Sequence, residues 1–241
     1  MPAFVLVHGS WHDGTAWTKV AERLEQLRHT AFHPTVAGHG KGASRRVDHA
    51  RATQSVVDYV ADRELSDIVL VGHSSGGTII SKVAEAIPHR VRRLVYINGL
   101  VLNSGDSALS VAPPESQATL RALAADSSDN SVMLPFEVWR DNFINDGGPE
   151  LALATYEQLS PASMDLMSEP VDMTKFYTLK TPRSYIRSTE DTVYPPGEWA
   201  LHPRLSSRLD VYRLLEMPGS HEVMFTNPNG LADRIIEASL D

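Results

Sequence analysis

The apolar run Ile68-Val69-Leu70-Val71 passes directly into Gly72-His73-Ser74-Ser75-Gly76-Gly77 and then into a helix-compatible stretch closed by Pro88. This order of fully apolar strand, glycine turn and helix constrains the fold more than any other feature of the chain. A strand without polar alternation is buried on both faces, the condition of a parallel sheet covered by helices. The same alternation recurs to either side. Residues 4–7 are strand-like, and Ala16, Val20, Leu24 and Leu27 carry helical spacing over 15–27. A weaker strand is expected over 30–36, helices over 56–65 and 77–87, and a strand over 93–98.

The pattern lapses over residues 102–180, which hold much helix-compatible sequence and no convincing strand. It resumes with a strand over 182–186, a short helix over 196–201, a strand over 210–215 and a last helix over 231–240. The expectation is an α/β domain formed by 1–101 and 181–241, with a mostly parallel sheet of about six strands. A helical cap insertion spans 102–180, because no linker-like composition marks a separate domain.

Composition removes several classes of function. The formal net charge is −8 with no long basic cluster, which disfavours nucleic acid and anionic membrane surfaces as partners. There is no cysteine, so disulfides, thiolate catalysis and cysteine zinc sites are excluded. No H-E-x-x-H motif or carboxylate cluster occurs, and neither a metal nor an organic cofactor is expected. The N-terminal apolar run breaks at His8-Gly9, too short for a membrane span, and reads as a first core strand with a cytoplasmic location expected.

Gly72-His73-Ser74-Ser75-Gly76 fits G-x-S-x-G in the strand-to-helix context that gives the pattern meaning. A sharp turn there projects its central side chain, and the register of the glycines selects Ser74. The alternative is a serine capping a helix in a glycine turn. A serine hydroxyl needs a base, which in this arrangement follows late in the chain. His221, in the loop after the strand over 210–215, fits; His202 beside Pro203 reads as a surface residue. Glu190, Asp191 and Asp106 are all placed to orient the imidazole, and spacing alone does not separate them. Oxyanion donors are expected at the Ser75 and Ser10 backbone N–H groups. His8, His12 and His73 read as histidines that order loops by hydrogen bonding.

Three segments carry a family resemblance: residues 4–12 (Phe-Val-Leu-Val-His-Gly-Ser-Trp-His), Val71 to Gly77, and Ser188-Thr189-Glu190-Asp191. Together with Gly219-Ser220-His221 they resemble the α/β-hydrolase superfamily, and more narrowly the small-cap branch of plant-type methyl esterases and hydroxynitrile lyases. The resemblance implies Ser74 as nucleophile, Asp191 rather than Glu190 as acid, and His221 as base. One group of lyases carries a threonine after the first histidine and a lysine after the catalytic one. Here those positions are Gly9 and Glu222, which lowers cyanohydrin cleavage below ester hydrolysis.

The expected reaction is serine-carboxylesterase hydrolysis of a small, neutral, apolar or aromatic ester through an acyl-enzyme. A lyase, a cofactor-independent oxygenase and a non-catalytic ligand receptor are the alternatives on the same scaffold. Trp11, Phe136, Trp139, Met164 and Met167 are the candidate pocket residues, although most large apolar side chains of a cap form its own core. The expected partner is a small-molecule ester, with a homodimer as an open option.

Overall fold

Strand periodicity becomes a two-sided core in the structure, a computed structural model describing residues 2–240. In β1 (Ala3–Val7), Phe4 and Leu6 point to one face while Val5 and Val7 point to the other. Strands β2 (Thr30–Phe32), β3 (Ile68–His73) and β4 (Val91–Ile97) follow. Further along come β5 (Ser131–Val132), β6 (Ala162–Ser163), β7 (Arg183–Ser188) and β8 (Arg213–Met217). The main sheet has six strands in the order β2-β1-β3-β4-β7-β8, every neighbouring pair parallel.

Both faces are sealed by amphipathic helices. On one side Trp17, Val20 and Leu24, around α1 (Thr18–Gln26), pack with Leu231 and Ile235 of the C-terminal helix (Pro228–Ser239). On the other side lie α2 (His49–Asp62) and α3 (Gly76–Ala86), through Val56, Val60, Ile80 and Val83. Burying each such aliphatic side chain contributes about 1.5–3 kcal/mol, so the sheet and its helices, not the loops, hold the frame.

Between β4 and β7 the chain is irregular. It contains α4 (Pro114–Ala125), α5 (Phe136–Val138), α6 (Pro149–Tyr156) and α7 (Met164–Ser168). Trp139, Phe143, Ile144, Leu159 and Met164 belong to a separate apolar cluster there. The structure corrects the sequence reading at this point, because β5 and β6 form an antiparallel ribbon inside 102–180. Two-residue strands leave no period in a sequence. The expected helix over 196–201 is likewise absent, and the nearest helical turn is Ser206–Leu209. The last helices are α8 (Val223–Thr226) and α9 (Pro228–Ser239), the latter capped by Asn227 accepting from the Gly230 N–H.

The parallel registers align Val7 with Gly72, His73 with Ile97, Ile97 with Ile186 and Ser188 with Met217. The carboxyl ends of five strands therefore share one edge, where the loops of an open α/β sheet build sites.

Candidate active site

The turn after β3 is set by backbone contacts that only glycine allows. A Cβ on Gly72 would stand 2.6 Å from the Gly76 carbonyl oxygen, and one on Gly76 would stand 2.6 Å from those of Val7 and His8. Between them Ser74 takes φ 51°, a left-handed conformation that serine adopts at a cost of about 1–3 kcal/mol. Its N–H donates to the Ile97 carbonyl at 3.1 Å, and its carbonyl accepts from Leu100 N–H at 2.9 Å. The surroundings thus hold a strained residue in place. Ser75 follows at the N-cap of α3 without capping it through its side chain; the hydroxyl meets the Ser10 hydroxyl at 3.0 Å instead.

His221 sits in the loop after β8, 1% exposed. Its Nδ1–H donates to Asp191 Oδ2 at 2.7 Å, which fixes the tautomer and leaves Nε2 buried with no hydrogen-bond partner among the described residues. Burial alone would lower the imidazole pKa, but the Asp191 charge and hydrogen bond, with Glu222 behind them, raise it above its ordinary 6.5. Asp191 is held in turn by the Val193 N–H on Oδ1 at 2.9 Å. Glu190 offers only backbone here, its N–H to Gly219 and its carbonyl to Asn145. Asp106 is engaged elsewhere, by Arg208 at 2.8 Å and the Asn103 N–H at 3.0 Å. His202 bonds Ser206 Oγ at 2.7 Å and takes no part in the cluster.

Three further histidines are committed to loop geometry. His8 donates from Nδ1 to the Gly9 carbonyl and accepts the Val36 N–H on Nε2. His73 donates from Nε2 to the His221 carbonyl at 3.0 Å, and burial pushes its pKa down to about 3. His12 pairs with the Glu222 carboxylate at 3.0 Å, both residues buried.

Ser10, Ser74, Ser75 and His221 all line one cavity of about 480 Å³, a normal size for a small-molecule site. Of the expected pocket residues, Trp11 and Met167 line it, joined by Phe143. Phe136, Trp139 and Met164 do not. Trp139 is fully buried, its indole N–H directed to Ala152 O and Thr155 Oγ1 and its ring stacked on Phe143. Met164 packs in the same cluster, and Phe136 meets Tyr156 edge-on. These side chains build the wall from behind. Among the described residues lining the cavity, Glu115 and His221 are the only ionisable groups besides the Tyr194 phenol, which burial raises to about 12.

Sequence reasoning overlooked two supports. Asn98, at φ 44° after β4, donates to Ser188 Oγ and to the His221 carbonyl and accepts the Ser188 N–H, tying β4, β7 and the histidine loop together. Asp146 accepts both the Ser220 N–H and the Thr226 hydroxyl. An amide directly after Val95-Tyr96-Ile97 was the available signal for Asn98; nothing local marks Asp146.

A parallel sheet with a strained serine elbow and a carboxylate-oriented histidine at its carboxyl edge defines an α/β enzyme of the hydrolase type. The model of the alpha/beta hydrolase family matches residues 4–234, and the chain belongs to that family. It is similar to an extracellular alpha/beta-hydrolase from a Paenibacillus species, described as sharing structural and functional homology with tobacco salicylic acid binding protein 2. That structure superposes with a TM-score of 0.97 at 37% identity over 100% of both chains. The carbendazim hydrolyzing esterase of Nocardioides sp. (strain SG-4G) is 29% identical over 98% of both chains. Salicylic acid-binding protein 2 of Nicotiana tabacum is 24% identical, over 97% of this chain and 95% of that one.

Proposed function

We propose that this chain, a carboxylic ester hydrolase, cleaves a small neutral ester in two steps through an acyl-enzyme on Ser74. One observation carries the reading. His221, oriented by Asp191, has an unpartnered Nε2 and shares a cavity wall with Ser74. As the Ser74 hydroxyl attacks the ester carbonyl, Nε2 takes its proton, and Asp191 stabilises the resulting imidazolium. The negative oxygen is received by the backbone N–H groups of Ser10 and Ser75, the latter at the positive end of α3. The imidazolium then protonates the departing alcohol. Water, deprotonated by the same Nε2, attacks the acyl group, and the serine is regenerated as the acid leaves.

Residues 102–180 act as a cap in this reading, since Leu109, Leu120, Leu134, Val138 and Met167 supply apolar wall. Among the described residues the lining holds no lysine or arginine to fix a substrate carboxylate, which favours a neutral acyl group. The likeness to a carbendazim-hydrolysing esterase and to a salicylate-binding protein supports an aromatic or heteroaromatic one.

The test is intact-mass analysis after a serine-directed phosphonate, with p-nitrophenyl acetate as burst substrate. A single adduct, retained in Ser75→Ala and lost in Ser74→Ala, with a burst in the wild type, is the expected result. An adduct that survives Ser74→Ala overturns the assignment.

A further inference from the structure

The triad leaves a second buried carboxylate unexplained. Glu222 directly follows His221, is 1% exposed, and accepts a hydrogen bond from His12 Nε2–H at 3.0 Å. A ring nitrogen of His73, a ring nitrogen of His221 and a carboxylate oxygen of Glu222 lie within 4.8 Å of one another. Glu222 is held by His12, while each histidine has one ring nitrogen engaged, His73 Nε2 by the His221 carbonyl and His221 Nδ1 by Asp191, and the other without a partner among the described residues. The Glu222 backbone is also fixed, its N–H facing the Phe143 carbonyl at 3.2 Å and Ser220 Oγ at 3.3 Å. An ionised group is costly to remove from water, so a buried carboxylate needs either cationic neighbours or a task.

We propose that Glu222 is a second acidic partner of His221, a positioning residue whose fixed charge steadies the imidazolium formed when Ser74 surrenders its proton. The inference rests on the acyl-transfer reading above. Asp191 and Glu222 approach the ring from different loops. Asp191 accepts Nδ1–H and sets the tautomer, while Glu222 adds negative potential without a hydrogen bond to the ring. Its pairing with His12 ties the histidine loop to the loop that carries Ser10 and Trp11, so the base and one oxyanion donor are held in mutual register.

The groups facing His221 all bear on the sign. Asp191 comes from the loop after β7, His73 from the end of β3, and Glu222 from the histidine's own loop. His12 lies beyond Glu222 on the loop after β1, and Asp146 receives the neighbouring Ser220 N–H. The His73 pKa of about 3 leaves it neutral through the working range. His12, His73 and His221 bring Glu222 down to about 2 against the effect of burial, so its charge persists there too. Removing that charge destabilises the imidazolium, and His221 then stays neutral to lower pH.

The experiment is the pH profile of kcat/KM for p-nitrophenyl acetate in the wild type, Glu222→Gln and Glu222→Asp. Glutamine keeps an acceptor for His12 and removes only the charge. The acidic limb should move down by about one pH unit in Glu222→Gln, the size expected for losing an opposite charge at this range, and return towards its original position in Glu222→Asp. A latch without an electrostatic role gives the reverse pattern, a lower plateau with an unmoved limb, and overturns the proposal. If Glu222→Gln is insoluble, the double variant His12→Leu/Glu222→Met replaces the buried pair with apolar groups, a change that is often tolerated. Its limb must also move down; an unmoved limb in that folded variant overturns the proposal as well. The phosphonate adduct separates the two levels. An adduct dependent on Ser74 with an unmoved limb sinks the role of Glu222 alone. The absence of any Ser74 adduct or acidic limb in the wild type sinks both readings.

Discussion

At the carboxyl edge of the sheet, Ser74, Asp191 and His221 stand on short turns pinned by main-chain contacts. Ser74 takes positive φ on its turn, as do Trp11 and Asn98 on the neighbouring turns after β1 and β4. The facing wall is built differently. Leu109, Leu120, Leu134, Val138 and Phe143 come from one- to three-turn helices and irregular links, positioned by side-chain packing in the cluster of Trp139 and Met164. The first region holds its side chains through main-chain geometry, the tolerance that the proposed proton transfer demands. The second sets only shape and polarity, and can vary without disturbing the first.

The largest effects therefore belong to the sheet edge. Ser74→Ala should lower kcat by about 10,000-fold or more, and Asp191→Asn should come close to it, because an asparagine leaves the imidazole in the wrong tautomer. Steady-state assays on folded protein measure both. Gly76→Ala tests the frame itself: its Cβ would enter the 2.6 Å space before the Val7 and His8 carbonyls, so the variant should lose activity and stability together. Wild-type-like turnover in Gly76→Ala would show that the elbow is less constrained than these contacts require.

How much of this was legible in the sequence follows the same division. The elbow, the strand before it and the histidine loop are local patterns, and the sequence announces them. The order of the strands and the choice of Asp191 over Glu190 needed family likeness or coordinates, because neighbouring carboxylates look alike until one meets an imidazole. Phe136, Trp139 and Met164 were misplaced onto the cavity wall because a large apolar residue reads the same whether it faces a cavity or the cluster behind it. The partner of Glu222 was hidden by distance, since His12 lies 210 positions away.

Trp139 offers the next effect in size. Truncating a fully buried tryptophan costs about 3–5 kcal/mol, so Trp139→Ala should shift the urea midpoint strongly while the folded fraction keeps kcat within about tenfold. A loss of kcat comparable to that of Asp191→Asn, without loss of stability, would break the separation between wall and machinery.

Acid should act on the two regions unequally. His8, His39 and His73 are buried and held neutral, with burial lowering His39 to about 4 and His73 to about 3. Residues 102–180 contain no histidine at all. Each depressed histidine binds its proton in the unfolded chain first, so its contribution is complete above 6.5 and is lost as pH falls towards its folded value. The slope is about 1.4 kcal/mol per pH unit for each. His221, raised, works the other way and favours the folded state below 6.5, one group against these three and against His29, His49 and His202, which burial also lowers. Urea unfolding at pH 7 and pH 5 should show a clear net loss at pH 5, and His73→Asn should flatten it. An unchanged midpoint would mean that these histidines are not neutral in the fold.

The smallest expected effect sharpens the comparison most. Met167 lines the main cavity and also a water-sized void of about 20 Å³, both of which Ser10 and Ser75 line too, so its side chain forms wall common to the two spaces. Met167→Ala removes wall but no hydrogen bond. KM for a short-chain p-nitrophenyl ester should therefore rise by up to about tenfold, while a longer acyl chain gains relative to it, the scale of a few methylene contacts in an apolar pocket. Phe136→Ala, behind the wall, should leave that chain-length preference unaltered. If both variants changed it equally, the cap would be transmitting shape to the cavity through its core, and the boundary between lining and support would lie further out than Met167.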